Sequence, residues 1–254
     1  MQAYVAWVGS LVRFLTALFA RGGGAMSEDG LPAIPPAKIL EFVGELFGKF
    51  SSVNHSSVMK KCDVVYLPAQ GGGKGRYIVN LLHKTYTVEL DQQTVVDLMT
   101  GKEAEPKLSY LILSYLLGEG GQHVAGEWQP VESMLNNVSH NYYLQKTVIR
   151  PLEKTFGYNP ELFEQSCKAV KGRREKLGGL SYSFNLLPKI QTLLQLWPGS
   201  EDEMLNPRLA VAVKPIALKF LKPTPLLYGL EVLAQFLEKE AKRKRAKPGP
   251  TPRP

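Results

Sequence analysis

The stretch YSFNLLPKIQTLLQLWPGSEDE, Tyr182–Glu203, decides the fold. Ser181, Ser183 and Asn185 alternate with Tyr182, Phe184 and Leu186, the period-two pattern of a strand with one buried face. Pro188 breaks the run, and the apolar segment Ile190–Trp197 follows. Pro198-Gly199-Ser200 makes a turn, after which Glu201, Asp202 and Glu203 face water. The pattern predicts two strands joined at a Leu-Pro corner and closed by an acidic turn.

Working outward, Glu161–Lys171 and Ser139–Phe156 carry helical periodicity, with Gly157 ending the second and Asn159-Pro160 opening the first. Lys107–Leu117 is the most apolar helix, with Gly118 as its stop, and Gly126–Met134 is a connector carrying Trp128. Cys62–Pro68, Arg76–Leu82 and Thr85–Leu90 read as a three-stranded antiparallel meander, turning at Gly71–Gly75 and at His83-Lys84. A short helix is expected at Thr94–Thr100 and a polar link at Ser51–Ser57. Ala37–Phe50 and Pro223–Glu238 are amphipathic helices at the two ends of the body. The expected fold is α+β: a small antiparallel β-meander and a second two-strand unit packed against four or five helices. It forms a single domain over residues 37–238, with an extension at 1–36 and a basic disordered tail at 239–254.

The chain has 254 residues, 44% of them hydrophobic and 21% charged, an ordinary globular composition. The formal charge of +8 comes from the ends: residues 1–25 supply +2, residues 239–254 supply +6, and the body is neutral. Basicity is therefore not a property of the folded surface. Val5, Val8, Val12, Leu15 and Phe19 would give residues 3–20 one amphipathic face. No charge precedes this run and Arg13 interrupts it, which argues against a signal peptide or a membrane span. Arg21-Gly22-Gly23-Gly24-Ala25-Met26 reads as a translated purine-rich ribosome-binding site, so Met26 is the expected natural start and residues 1–25 the expected untranslated leader.

Cys62 and Cys167 stand more than a hundred positions apart, too few and too distant for a disulfide framework or a clustered metal site. Both are expected to be small core residues, and reduced thiols suit a cytoplasmic protein. Gly71–Gly75 with Lys74 lacks the Ser or Thr and the following helix of a phosphate loop, so a flexible hairpin loop is expected. His55, His83, His123 and His140 show no ligand spacing; His55, His83 and His123 fall in links and turns, and His140 opens a helix. The adjacent carboxylates Glu201-Asp202-Glu203 are expected to be solvated. No metal and no cofactor is expected. If a ligand pocket exists, the Gly-flanked loops around Trp128 and Trp197 are its expected place, with His140 and Tyr143 as further candidates. Lys242, Arg243, Lys244 and Arg245 could contact nucleic acid or an acidic partner, although no aromatic residue accompanies them for base stacking.

The collinear series GRYIVNLLHKTYTVEL (Gly75–Leu90), LSYLILSYLLGEG (Leu108–Gly120), GEWQPVESM (Gly126–Met134), IRPLEKTFGYNPELFEQSCKAVKG (Ile149–Gly172) and FNLLPKIQTLLQLWPGSEDE (Phe184–Glu203) resembles the domain-of-unknown-function family DUF3786 of anaerobic bacteria and archaea. Some members of that family sit beside iron–sulfur cluster modules. Two departures matter. LAVAVKPIALKFLKPTP replaces the acidic, aromatic-containing stretch often found after the Leu-Trp turn, and the four-cysteine cluster motif of the neighbouring modules is missing. The resemblance carries no catalytic residues with it. It implies a cytoplasmic accessory or binding domain of anaerobic metabolism, serving a redox or corrinoid/Fe–S partner system, without nucleic acid or membrane. An enzyme reading would require polar residues such as His140, Glu127 and Glu132, or the acidic turn, to converge in one pocket.

Overall fold

In the computed structural model, residues 34–121, 126–135 and 137–246 are described. The expected helix at 3–20, the start at Met26, His123 and the last eight residues lie outside them.

Helix α1, Pro36–Lys49, buries Ile39 and Phe47. A single 3-10 turn leads to α2, His55–Cys62, where a polar link and the beginning of a strand were expected. The Ser-rich run hides a capped helix: the Asn54 side chain accepts the Ser57 N–H at 3.0 Å, and Val58 and Cys62, four apart, form the buried face. Asp63, with φ 53°, ends it.

The first sheet is an antiparallel meander in sequence order, β1 (Val65–Leu67), β2 (Arg76–Leu81), β3 (Lys84–Glu89) and β4 (Thr94–Asp97). It has one strand more than expected, because the segment Thr94–Thr100 opens as a strand and not as a helix. Val95 and Asp97 are buried while Thr94 and Val96 are half-exposed, and Asp97 pairs with Tyr86. Period two over β-branched residues has won over the helical reading. Gly71–Gly75 is the loop between β1 and β2, as its composition implied.

Helix α3, Pro106–Leu117, buries Leu111, Ile112, Tyr115 and Leu116. The connector holds the short strand β5 (Gln129–Pro130) and the single turn α4 (Val131–Met134). The long helix predicted at Ser139–Phe156 is α5 (Val138–Leu144), a π-helical turn at Gln145–Ile149, and α6 (Arg150–Phe156) in unbroken succession. The π turn ends two residues before Pro151, whose missing N–H interrupts the hydrogen-bond ladder. Asn159 caps α7, Pro160–Ala169, by accepting the Leu162 N–H.

The second sheet contains the hairpin read from Tyr182–Glu203: β7 (Leu180–Leu187) and β8 (Ile190–Trp197), after the two-residue β6 (Arg173–Arg174). The expected two-strand unit is the core of five strands, ordered β5-β9-β8-β7-β6. The added member β9, Arg208–Val213, pairs with β8 from Thr192 to Trp197. It comes from the segment RLAVAV. Helix α8, Ala217–Phe220, turns the chain into α9, Pro223–Ala246.

Helix α9 runs past the expected boundary, so residues 239–246 are not a disordered tail. Leu233, Leu237 and Ala241 continue one buried face, and the Arg245 guanidinium donates to the Thr155 carbonyl at 3.0 Å. Packing against α3, α5, α7 and β7 makes α9 the central helix. Gly229 permits the approach to the sheet, because a Cβ there would lie 2.8 Å from Leu186 Cδ2. The two sheets meet where the Leu82 N–H donates to the Leu186 carbonyl at 3.1 Å. No described helix is long and apolar enough to cross a membrane.

Candidate functional site

Beside α9 lies an open cleft of about 580 Å³, bounded by β3, β4 and the start of α3. Tyr86, Tyr228, Val232 and Phe236 give it an apolar floor. Its charged walls are built from two lysine–carboxylate pairs.

The first pair joins adjacent strands. Lys84 Nζ lies 2.5 Å from Asp97 Oδ2, and Asp97 Oδ1 accepts the backbone N–H groups of Met99 and Thr100. The Lys84 hydrogen bond, helped by these N–H groups, holds the Asp97 carboxyl below its ordinary range against the opposing effect of burial.

The second pair joins three helices. Lys107 Nζ of α3 donates to Glu231 of α9 at 3.1 Å and to the Tyr143 hydroxyl of α5 at 3.1 Å, while the Tyr143 hydroxyl donates to Glu231. The Lys107 ammonium also lies over the Tyr143 and Tyr228 rings, 5.6 and 5.2 Å from their centroids. Burial first, and then the Glu231 carboxylate, push the Tyr143 phenol far above its ordinary value. Burial followed by nearby carboxylates pushes Tyr228 and Tyr86 up to about 12. All three phenols therefore stay protonated and serve as hydrogen donors near neutral pH. Lys102 and Lys239, also at the cleft, have no ion-pair partner among the described residues. Glu103 and Glu105 line it as well, so such a cleft can hold a flat apolar group on the floor with charges of both signs at its edge.

The candidates read from sequence are only partly gathered here. Tyr143 stands behind Lys107 and Glu231, and His140, one turn earlier on the same helix, meets Thr224 of α9 with Nε2 at 3.3 Å from Oγ1. The two tryptophans do not share a pocket. Trp128 precedes β5, which pairs with Val213 at one end of β9, and Trp197 pairs with Arg208 at the other. Five residues of strand separate those ends, roughly 17 Å. Each indole instead stacks with a cation: Lys214 Nζ is 4.3 Å from the Trp128 ring and the Arg208 guanidinium is 5.5 Å from the Trp197 ring.

Glu127 is exposed and Glu132 half-exposed, and no hydrogen bond or ion pair joins either to His140 among the described residues. Glu201, Asp202 and Glu203 lie exposed in a turn closed by the Ser200–Leu205 bridge. Lys242 and Lys244 stand on the last turns of α9 without a hydrogen bond or ion pair among the described residues, whereas Arg243 pairs with Glu240 and Arg245 is bound to Thr155. Among the described residues no three histidine, cysteine or acidic side chains gather into a metal-binding group.

Lys107, Glu231, Tyr228, Lys84 and Asp97 escaped the sequence reading. One signal was available: Glu231 is an isolated acid within LLYGLEVLAQFL, one turn from Leu227 and Tyr228 on the face that packs inward. Its partner Lys107 is 124 positions away, a separation that local pattern does not reach.

Residues 60–235 match the profile of the family described as a domain of unknown function, DUF3786. The chain belongs to this family. Comparison with curated proteins and with solved structures gives no match.

Proposed function

We propose that this member of the DUF3786 family is a binding domain, an accessory of anaerobic metabolism that works in the cytoplasm beside a redox or corrinoid/Fe–S partner, and that the cleft along α9 is its docking site. The single observation carrying the reading is the Lys107–Glu231–Tyr143 cluster. A half-buried ionic network drawn from three helices contributes little net stability compared with apolar packing, so its retention at the wall of an open cleft fits a recognition role. The aromatic floor, with Lys102 and Lys239 set beside Glu103 and Glu105 at its edge, suits a partner that presents an apolar group flanked by both acidic and basic groups. Two buried free thiols suit a reducing compartment.

The test is capture of the full chain, expressed in an anaerobic host that encodes it and purified without air. Enrichment of a redox or one-carbon protein by the wild type, lost in a Lys102→Glu/Lys239→Glu variant, supports the reading. Equal recovery with both proteins, or recovery of no such partner, counts against it.

A further inference from the structure

A second cavity lies on the other side of Lys84, where the two sheets meet. It measures about 510 Å³ and is lined by the β2–β3 turn, the β7–β8 turn and Lys171. Its polar groups are biased toward donors. Asn80 Oδ1 accepts from Thr85 Oγ1 at 2.9 Å, and Asn185 Oδ1 accepts from Gln191 Nε2 at 3.4 Å. Each amide oxygen thus faces a side-chain donor, and the Asn80 and Asn185 NH₂ groups have no acceptor among the described residues. Lys171 lines the same cavity with no ion-pair partner among the described residues. The one carboxylate in the lining, Asp63, lies 3.6 Å from Lys189 Nζ.

At the centre of this turn stands His83. Its Nδ1 is buried without a hydrogen-bond partner, and its ring meets the Phe236 edge at a centroid distance of 4.8 Å. The charges facing it are Lys84 of β3, Lys171 after α7, and Lys239 and Glu240 of α9. Lys84 is held by Asp97 and Glu240 by Arg243, and Lys239 lines the first cleft, which leaves Lys171 as the uncompensated charge of this cavity. The cavity therefore combines amide donors with the unpaired ammonium of Lys171 beside the His83 ring, a set that is complementary to a tetrahedral oxyanion.

We infer that this junction is a phosphate site, taking either inorganic phosphate or the phosphate of a monoester, with Lys171, Asn80 and Asn185 as its direct donors. It shares Lys84 with the first cleft, but its direct donors are other residues, and it does not depend on the reading given to that cleft. Backbone φ at Lys171 is 62°, so the side chain is presented from a left-handed position that only glycine takes without strain, and Lys171→Gly removes the charge while keeping the turn.

The test titrates the full chain with inorganic phosphate, and separately with glycerol 3-phosphate, at constant ionic strength against chloride. Binding is read by calorimetry and by the imidazole NMR signals. The expected result is saturable binding that shifts the His83 signals and leaves those of His55 in place. Affinity should fall about tenfold or more in Lys171→Gly and in Asn185→Asp, the loss expected for one charge-assisted hydrogen bond. Tighter binding of the ester than of the free ion assigns the site to a phosphorylated metabolite, and the reverse assigns it to phosphate itself. Binding indistinguishable from chloride, equal affinity in folded variants, or shifts confined to other histidines would overturn the inference.

Discussion

The Tyr143 phenol donates its hydrogen to a Glu231 carboxylate oxygen 88 positions further along the chain, and Lys107 donates to both residues. Tyr143→Phe removes one donor and leaves Glu231 to Lys107 alone. Loss of a hydrogen bond to a buried charged group should cost about 1–3 kcal/mol of stability. Urea unfolding of Tyr143→Phe, Lys107→Met and the double variant measures the coupling directly. A coupling energy near zero would mean that the three groups do not act as a unit.

Gly118 ends α3 directly against the backbone of Phe220, and a Cβ there would be driven into the Phe220 carbonyl. Neither backbone can retreat, since Lys61 Nζ donates to the Gly118 carbonyl at 2.5 Å and Phe220 is buried against Tyr115. Gly118→Ala should destabilise by about 1–3 kcal/mol. Gly44, on the exposed side of α1 with nothing near its Cβ position, should respond oppositely. Gly44→Ala should stabilise by roughly 0.5–1 kcal/mol. Thermal melts of the pair decide whether close approach or chain entropy governs each site.

Burial lowers the pKa of both His55 and His83 from the ordinary 6.5, and at His83 the neighbouring lysines lower it further. A histidine whose folded pKa lies below its unfolded value binds more protons when unfolded. Its contribution is therefore complete above 6.5 and fades as pH falls from there through the folded value. Unfolding free energy should drop between neutral pH and mildly acidic pH, and His83→Gln should flatten that slope. A profile level across this window, or one rising toward acid, would contradict the assignment.

Burial pushes the Cys62 thiol up to about 12, and Cys167 is pushed up by the same cause. Cys62 Sγ also donates to the Tyr115 carbonyl at 3.5 Å, while the Tyr115 hydroxyl donates to the Cys62 carbonyl at 2.6 Å. Neither thiol should react appreciably with iodoacetamide at neutral pH in the folded protein, and both should react in denaturant. Rapid alkylation of Cys62 without denaturant would place it in a more open environment than this one.

The hairpin at Leu180–Leu187 and Ile190–Trp197 was legible because alternation, Pro188 and the Gly199 turn all spoke for the same structure. Helix α2 was hidden because Ser and Asn favour turns and caps equally, and only the cap bond from Ser57 to Asn54 distinguishes them. Strand β9 was hidden because LAVAV runs directly into the apolar, basic KPIALKFLKP, and an unbroken apolar stretch does not declare its period. The site was the least legible part. Its two ion pairs are each closed by residues from different elements, as Lys107 is by Glu231.

Lysine footprinting of the complex recovered from the host that encodes the chain tests the proposed docking cleft most directly. Acetylation of the full chain, alone and in complex, should show Lys102 and Lys239 protected on binding, while the exposed Lys60 and Lys74 remain equally reactive in both. Unchanged reactivity of Lys102 and Lys239 in a complex that protects lysines elsewhere would show that the cleft along α9 is not where the partner binds.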